Sequence, residues 1–368
     1  MKKLLALAVA AALVAPLSAA EDKSTSAIVR LLNSRVAGSP KAYAAAAESV
    51  AADAAAGRPL HQFVIAVVAN DADLPAKLRL TPQTRKEYLD RTRGKIRALA
   101  EEKGNALAWY LLSLEANDLK YLKRAADGEN VQALNAWGTI KLTEALTDQN
   151  ADTNEVEKVC LKSFECFKKA AEMGDANGLY NLGMCYRRGY GCVPDPDLAL
   201  KSFRAGAEAG HPEAINNLGG FFRDGIVVER NYETAARWFS RSADLGNAYG
   251  QLNYALALLR GEGVDKDEAK AAELLKTAAQ RGNAEAMSAY GTCFLDGMGV
   301  EKSESEAVKW FRASAARGFA PAMESLSVCY ERGLGVRQNS TEGTVWKVRA
   351  MAARGDRNAA AWLKQNGY

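Results

Sequence analysis

Proline and histidine are scarce in this chain, with nine prolines and two histidines in 368 residues. So little proline excludes a fibrous or proline-rich protein, and a hydrophobic fraction of 48% excludes a disordered one. The two histidines, His61 and His211, are too far apart in sequence to form a short-spaced ligand pair. No Cys-x-x-Cys, His-x-x-x-His or His-Glu-x-x-His pattern exists, so neither a metal nor another cofactor is expected. An excess of one charge is missing too. Lys and Arg number 48 against 44 Asp and Glu, which gives no dense basic face for nucleic acid. Long hydrophobic runs are also absent. The run from Leu4 to Leu17 is the longest, and it falls short of the roughly 20 residues that a membrane-spanning helix needs.

That run has a different meaning. Lys2 and Lys3 precede it, and Ser18-Ala19-Ala20 follows it just before the acidic Glu21-Asp22. The pattern reads as a secretory leader cut near Ala20. The first cysteine is Cys160, so no thiol stands at the cleavage point to take a lipid. The expectation is a periplasmic or secreted protein of bacterial type that does not span the membrane, in a compartment where disulfides persist.

Small residues are abundant: 69 alanines and 30 glycines. Alanine is the strongest helix former, and the glycines are periodic. Gly174, Gly210, Gly246, Gly282 and Gly318 follow one another at 36 residues, and Gly189, Gly225, Gly261, Gly297 and Gly333 keep the same interval. A period of this length, with a helix pair as its unit, marks a stacked repeat. The columns between the glycines assign roles. Asp195, Asn231, Asp267, Ser303 and Asn339 are N-caps, with a capping box predicted at Ser303 and Glu306. Phe167, Phe203, Phe239, Leu275 and Phe311 form the apolar column of the helix that follows each cap. On the other helix the small residues Gly183, Gly219, Ala255, Gly291 and Ser327 let two backbones approach. The fold class predicted is all-α, an α/α superhelical solenoid of antiparallel helix pairs.

Gly261-Glu262-Gly263-Val264, Gly297-Met298-Gly299-Val300 and Gly333-Leu334-Gly335-Val336, each leading to a cap and an alanine-rich helix ending in glycine, resemble the Sel-one-like repeat. This family is related to the tetratricopeptide repeat. The predicted organisation is a leader over 1–20, a helical region of degenerate repeats over 21–104, and divergent helix pairs over 105–177. The connection near 147–154 is read as lengthened by about ten residues. Five clear repeats follow over 178–358, then a tail over 359–368. Asn70 to Gln83 is read as a loop.

The six cysteines need separate treatment in an oxidising compartment. Cys293 and Cys329 read as core thiols. Cys185 and Cys192, seven residues apart across a tight turn, are candidates for a disulfide, with Cys166 as a competing partner for Cys185. Secreted cysteine-rich members of the resembled family tie the helices of each unit with a regular pair, which does not recur here. Some of those members are described as binding or weakly hydrolysing β-lactams. Penicillin-recognising serine enzymes carry Ser-x-x-Lys, and no serine here has lysine three residues on, so no enzyme activity is expected. His211 shares the column of Asp175, Asn247 and Asn283 and reads as a turn residue.

A solenoid of helix pairs binds partners along the helix that lines its groove. On that helix Asn181, Asn217 and Asn253 share a polar column whose amides both donate and accept. The competing reading is that they bond within the stack. Arg188 and Arg223 lie near the helix end, and Tyr249 places an aromatic ring where Glu213 and Glu285 stand in their units. The function expected is a monomeric, exported scaffold or regulator that holds a protein or peptide partner. The alternative, implied by the resemblance, is a secreted binder of β-lactam or peptidoglycan fragments.

Overall fold

The computed structural model describes Ile28 and residues 40–56, 58–69, 76–148 and 151–368. The leader expected over 1–20 lies outside the described residues, as do Gly57 and residues 70–75. Among the described residues the chain is all-helical, with 18 α-helices and no strand. In order they are α1 Pro40–Ala55, α2 Pro59–Val68, α3 Pro82–Lys103, α4 Ala106–Ala116, α5 Leu119–Asp127, α6 Val131–Thr147, α7 Thr153–Glu172, α8 Ala176–Arg188 and α9 Pro196–Glu208. There follow α10 Pro212–Asp224, α11 Tyr232–Asp244, α12 Ala248–Arg260, α13 Glu268–Gln280, α14 Ala284–Asp296, α15 Glu304–Ala315, α16 Ala320–Arg332, α17 Ser340–Ala353 and α18 Arg357–Gln365. None of them is long and apolar enough to cross a membrane.

The caps fall where the columns place them. Asp195, Asn231, Asp267, Ser303 and Asn339 each accept the backbone N–H three residues on, at 2.8–3.4 Å. Each such bond is worth about 1 kcal/mol. The box at Ser303 is only half made, because the Glu306 carboxylate turns to Lys309 instead of back to the cap. Gly174, Gly210, Gly246, Gly282 and Gly318 all have φ near +80° and end their helices as left-handed residues.

Two compact units divide at Leu218 and Gly219, within α10. In the first, α1 to α7 enclose a core that includes Phe63, Ile96, Tyr110, Leu111 and Leu122. A smaller cluster forms around Phe164, Phe167 and Cys185. In the second, successive pairs enclose Leu252, Leu275 and Tyr290, then Phe311, Leu326 and Cys329. Two details differ from the sequence reading, and a third interrupts the glycine pattern. The extra residues between α6 and α7 extend helices and not a loop: α6 has 17 residues and α7 has 20, against 13 for α8 and α9. The segment read as a loop before Gln83 contains a 3-10 turn, Ala76–Leu78, and Pro82 already opens α3 as its first-turn residue. After α5 the left-handed residue is Glu129 at φ +60°, not Gly128, so the glycine column is broken there.

The second glycine of each Gly-x-Gly turn has a steric reason. A Cβ on Gly263, Gly299 or Gly335 would overlap the carbonyl oxygen of Tyr232, Glu268 or Glu304, the first residue of a neighbouring helix. Their φ values are +72°, +67° and +66°. The glycine therefore serves close docking and a left-handed backbone together. Val227 occupies this column at φ +65° and is 43% exposed. A β-branched residue in this region is strained by about 1–3 kcal/mol. Val227→Gly is expected to stabilise the protein by about 1 kcal/mol after the entropy cost of glycine. Thermal unfolding checks this, and an unchanged or lowered midpoint would refute it.

Candidate functional site

The candidate partner-binding residues lie on the helices that open each pair. Asn217 sits on α10 with both ends of its amide engaged. Its Nδ2 donates to the Glu213 carbonyl one turn back at 2.8 Å, and its Oδ1 accepts Arg187 Nη1 at 2.6 Å. The same arrangement recurs on α12, where Asn253 Oδ1 accepts Arg223 Nη1 at 3.3 Å. Both arginines lie 30 residues before their asparagine, so each reaches from the end of one opening helix to the middle of the next. At Asn217 the amide bonds within the stack, as the competing reading of this column has it. The asparagine orients a guanidinium, and the guanidinium carries the remaining donors.

Arg223 is the more elaborated of the two. It forms a fork on Asp224 at 2.8 and 3.1 Å and lies over the Phe239 ring at 5.8 Å. The hydrogen bond to Asp224 raises its already high pKa. Arg223 walls a shallow cleft floored by Phe239 and Leu256 and flanked by Tyr232, Asn253 and Arg260. Tyr249, on the first turn of α12, is 57% exposed. Arg188 is exposed and does not bond Asn217; Arg187 does. The repeat carried the signal, since Arg187 and Arg223 are 36 residues apart, whereas the partner of Arg188 in that column is Asp224.

Asn181 turns inward. Its Nδ2 makes a long contact, 3.5 Å, with Asn135 Oδ1, and Asn135 Nδ2 bonds Asp175. Asp175 caps α8 by accepting the Gly178 N–H at 2.8 Å and is fully buried, with Oδ1 unpaired. Burial pushes its carboxyl up to about 8, against the bonds from Gly178, Asn135 and Asn177. The equivalent cap of α10 is His211. Its Nδ1 accepts the Ala214 N–H at 3.3 Å, which leaves the proton on Nε2, 3.1 Å from Asn177 Oδ1. The ring stacks on Tyr180 at 4.5 Å, and burial pulls its pKa down to about 3. This agrees with its reading as a turn residue and leaves it no proton to exchange near neutrality.

All six cysteines are free thiols, so the bond considered between Cys185 and Cys192 is not made. The two side chains nevertheless share one apolar cluster. Cys166 packs on the other core of this unit, near Gly138, which removes it as a partner for Cys185. Among the described residues no group of three or more His, Cys, Asp or Glu could hold a metal.

The helix pairs, caps and docking turns now have counterparts in known proteins. Among solved structures, a Sel1 repeat protein from Oxalobacter formigenes is 27% identical with a TM-score of 0.53, covering 70% of this chain and 95% of its own. The protein c5321 of uropathogenic Escherichia coli, described as a protective antigen displaying an SLR fold, is 26% identical with a TM-score of 0.53. It covers 86% of this chain, which spans 66% of its length. No curated protein matches at a significant level. Sel1 repeat proteins are generally protein-interaction scaffolds and typically non-catalytic. The Sel1 repeat profile matches residues 152–175, 176–211, 212–247, 248–283, 284–319 and 320–346, more than half of the sequence, and the chain belongs to the Sel1 repeat family.

Proposed function

We propose that this protein is an exported scaffold that binds a protein or peptide partner through the opening helices of its repeats, and that it is not an enzyme. The observation that carries this reading is the recurrent arginine seated on asparagine, Arg187 on Asn217 and Arg223 on Asn253. An arginine offers five donors in a fixed fork; Arg187 gives one to Asn217, Arg223 gives one to Asn253 and two to Asp224, and the donors left over are held for backbone carbonyls or carboxylates of a partner at low entropy cost. The exposed Tyr249 adds the kind of rigid aromatic surface that concentrates binding energy. Export is supported by the leader pattern of residues 1–20 and by the description of the E. coli relative as a protective antigen.

The test is capture of a specific protein from cell-envelope extract by the chain from Glu21 onward. Arg187→Ala with Arg223→Ala is expected to weaken that capture by about tenfold or more. Asn217→Ala with Asn253→Ala is expected to act in the same direction by freeing the arginines to move. A protein that captures nothing yet is labelled by a fluorescent penicillin, or is retained on murein, would overturn the scaffold reading in favour of a β-lactam or peptidoglycan binder.

A further inference from the structure

In three units the end of the opening helix and the turn after it come together in one apolar cluster. The residue four before the glycine cap and the residue three after that glycine fall in the same apolar cluster. Cys293 and Val300 share one, Cys329 and Val336 share another, and Cys185 and Cys192 share a third. The backbone enforces this. The N–H groups of Gly189 and Tyr190 bond the Cys185 carbonyl at 2.7 and 3.1 Å, and the Asp195 N–H returns to Tyr186 at 2.8 Å. The turn is thereby folded back over the end of α8. The later column reads Cys192, Val228, Val264, Val300 and Val336. Only in the first of these units does a cysteine stand in both columns.

We propose that Cys185 and Cys192 are an oxidation site that closes into a disulfide, stapling the last turn of α8 to the connection that leads into α9. Cys192 is half-buried and Cys185 fully buried, so a small-molecule disulfide such as oxidised glutathione meets Cys192 first. The Cys192 thiolate attacks one sulfur of that reagent, releases one thiol, and remains as a mixed disulfide. Cys185 gives up its proton to water and attacks the Cys192 sulfur, releasing the second thiol. Two protein thiols are oxidised and one reagent disulfide is reduced. Burial pushes the Cys185 thiol up to about 12, so little of it is thiolate and its attack on the mixed disulfide is the slow step. Cys160 also lies close, since a Cβ on Gly191 would overlap its carbonyl, and it is the pairing that the test must separate.

The purified protein is incubated with oxidised glutathione under native conditions, and its thiols are counted and its peptides mapped. The expected result is loss of two thiols, a peptide joining residues 185 and 192, and an unfolding midpoint a few degrees higher. Cys192→Val, which installs the residue of the other units, is expected to abolish the bond while helicity stays unchanged. Adding Val300→Cys to that variant is expected to create the equivalent bond with Cys293. Linkage of Cys192 to Cys160, or retention of all six thiols by the folded wild type under conditions that oxidise the urea-unfolded chain, would overturn the proposal.

Discussion

Asp175→Asn is expected to remove a loss of stability that the wild-type protein suffers above about pH 6.5, and His211→Asn to remove one that it suffers below about pH 4. The folded carboxyl of Asp175 titrates at about 8 against an ordinary 3.8. A raised carboxyl makes its full contribution below 3.8 and loses it as the pH climbs through 8. His211 titrates at about 3 against an ordinary 6.5. A lowered histidine makes its full contribution above 6.5 and loses it as the pH falls through 3. The Glu213 carboxylate lies 3.3 Å from Nδ1, but it is nearly half exposed and solvent screens it, so burial decides.

The two slopes oppose each other between 3.8 and 6.5. There the unfolded chain holds a proton on the histidine and the folded chain holds one on the carboxyl. Proton counts match, and the pair adds no pH dependence. Outside that window each acts alone at about 1.4 kcal/mol per pH unit. The gain from Asp175→Asn therefore grows by about 2 kcal/mol from pH 6.5 to pH 8. From pH 6.5 down to pH 4 the wild type stays level with respect to this pair, whereas His211→Asn, left with the Asp175 slope alone, gains about 3 kcal/mol on it. Asparagine is the residue of this column at Asn247 and Asn283, where it bonds the same backbone N–H at 2.8 Å, so each substitution keeps the cap. Urea unfolding across pH for the three proteins measures the differences. Curves that run parallel to wild type would show that neither group titrates as its burial demands.

This buried pair marks the limit of what the sequence discloses. The column of Asp175, His211, Asn247 and Asn283 was legible as a turn, because it follows each helix-ending glycine. Their burial was not legible, since a cap on the surface and a cap beneath a neighbouring helix have the same spelling. The same holds for Asn181, Asn217 and Asn253. One column, read as uniform, splits into an inward contact with Asn135 and two seats for arginine, because what faces the column differs from unit to unit. The helix-pair architecture, the caps and the glycine turns came through intact, being local rules repeated at a fixed interval. The region between α6 and α7 was misjudged for the converse reason. Without a second copy of its spacing, nothing in the letters separates a longer helix from a longer loop.

Gly291→Ala is expected to destabilise the protein by about 2 kcal/mol, although alanine is the better helix former by about 1 kcal/mol. Gly291 lies inside α14, and a Cβ there would stand 2.8 Å from Phe311 Cε1 and 3.2 Å from the Ala307 carbonyl. Phe311 is 1% exposed and has nowhere to turn. The same pairing holds for Gly138 with Phe167, Gly183 with Phe203 and Gly219 with Phe239. In one unit the chain has solved the packing differently. Ala255 stands in the glycine column and Leu275, fully buried, stands in the phenylalanine column. A methyl gained on one helix is matched by the ring lost on the other. The substitution Phe311→Leu alone should leave a cavity costing about 1–2 kcal/mol. Gly291→Ala with Phe311→Leu should be more stable than the sum of the two single changes predicts, by at least about 1 kcal/mol. A double-mutant cycle by urea unfolding measures that coupling. Simple additivity would mean that the glycine column is kept for backbone freedom and not for the ring beside it, and Ala255 with Leu275 would then be coincidence.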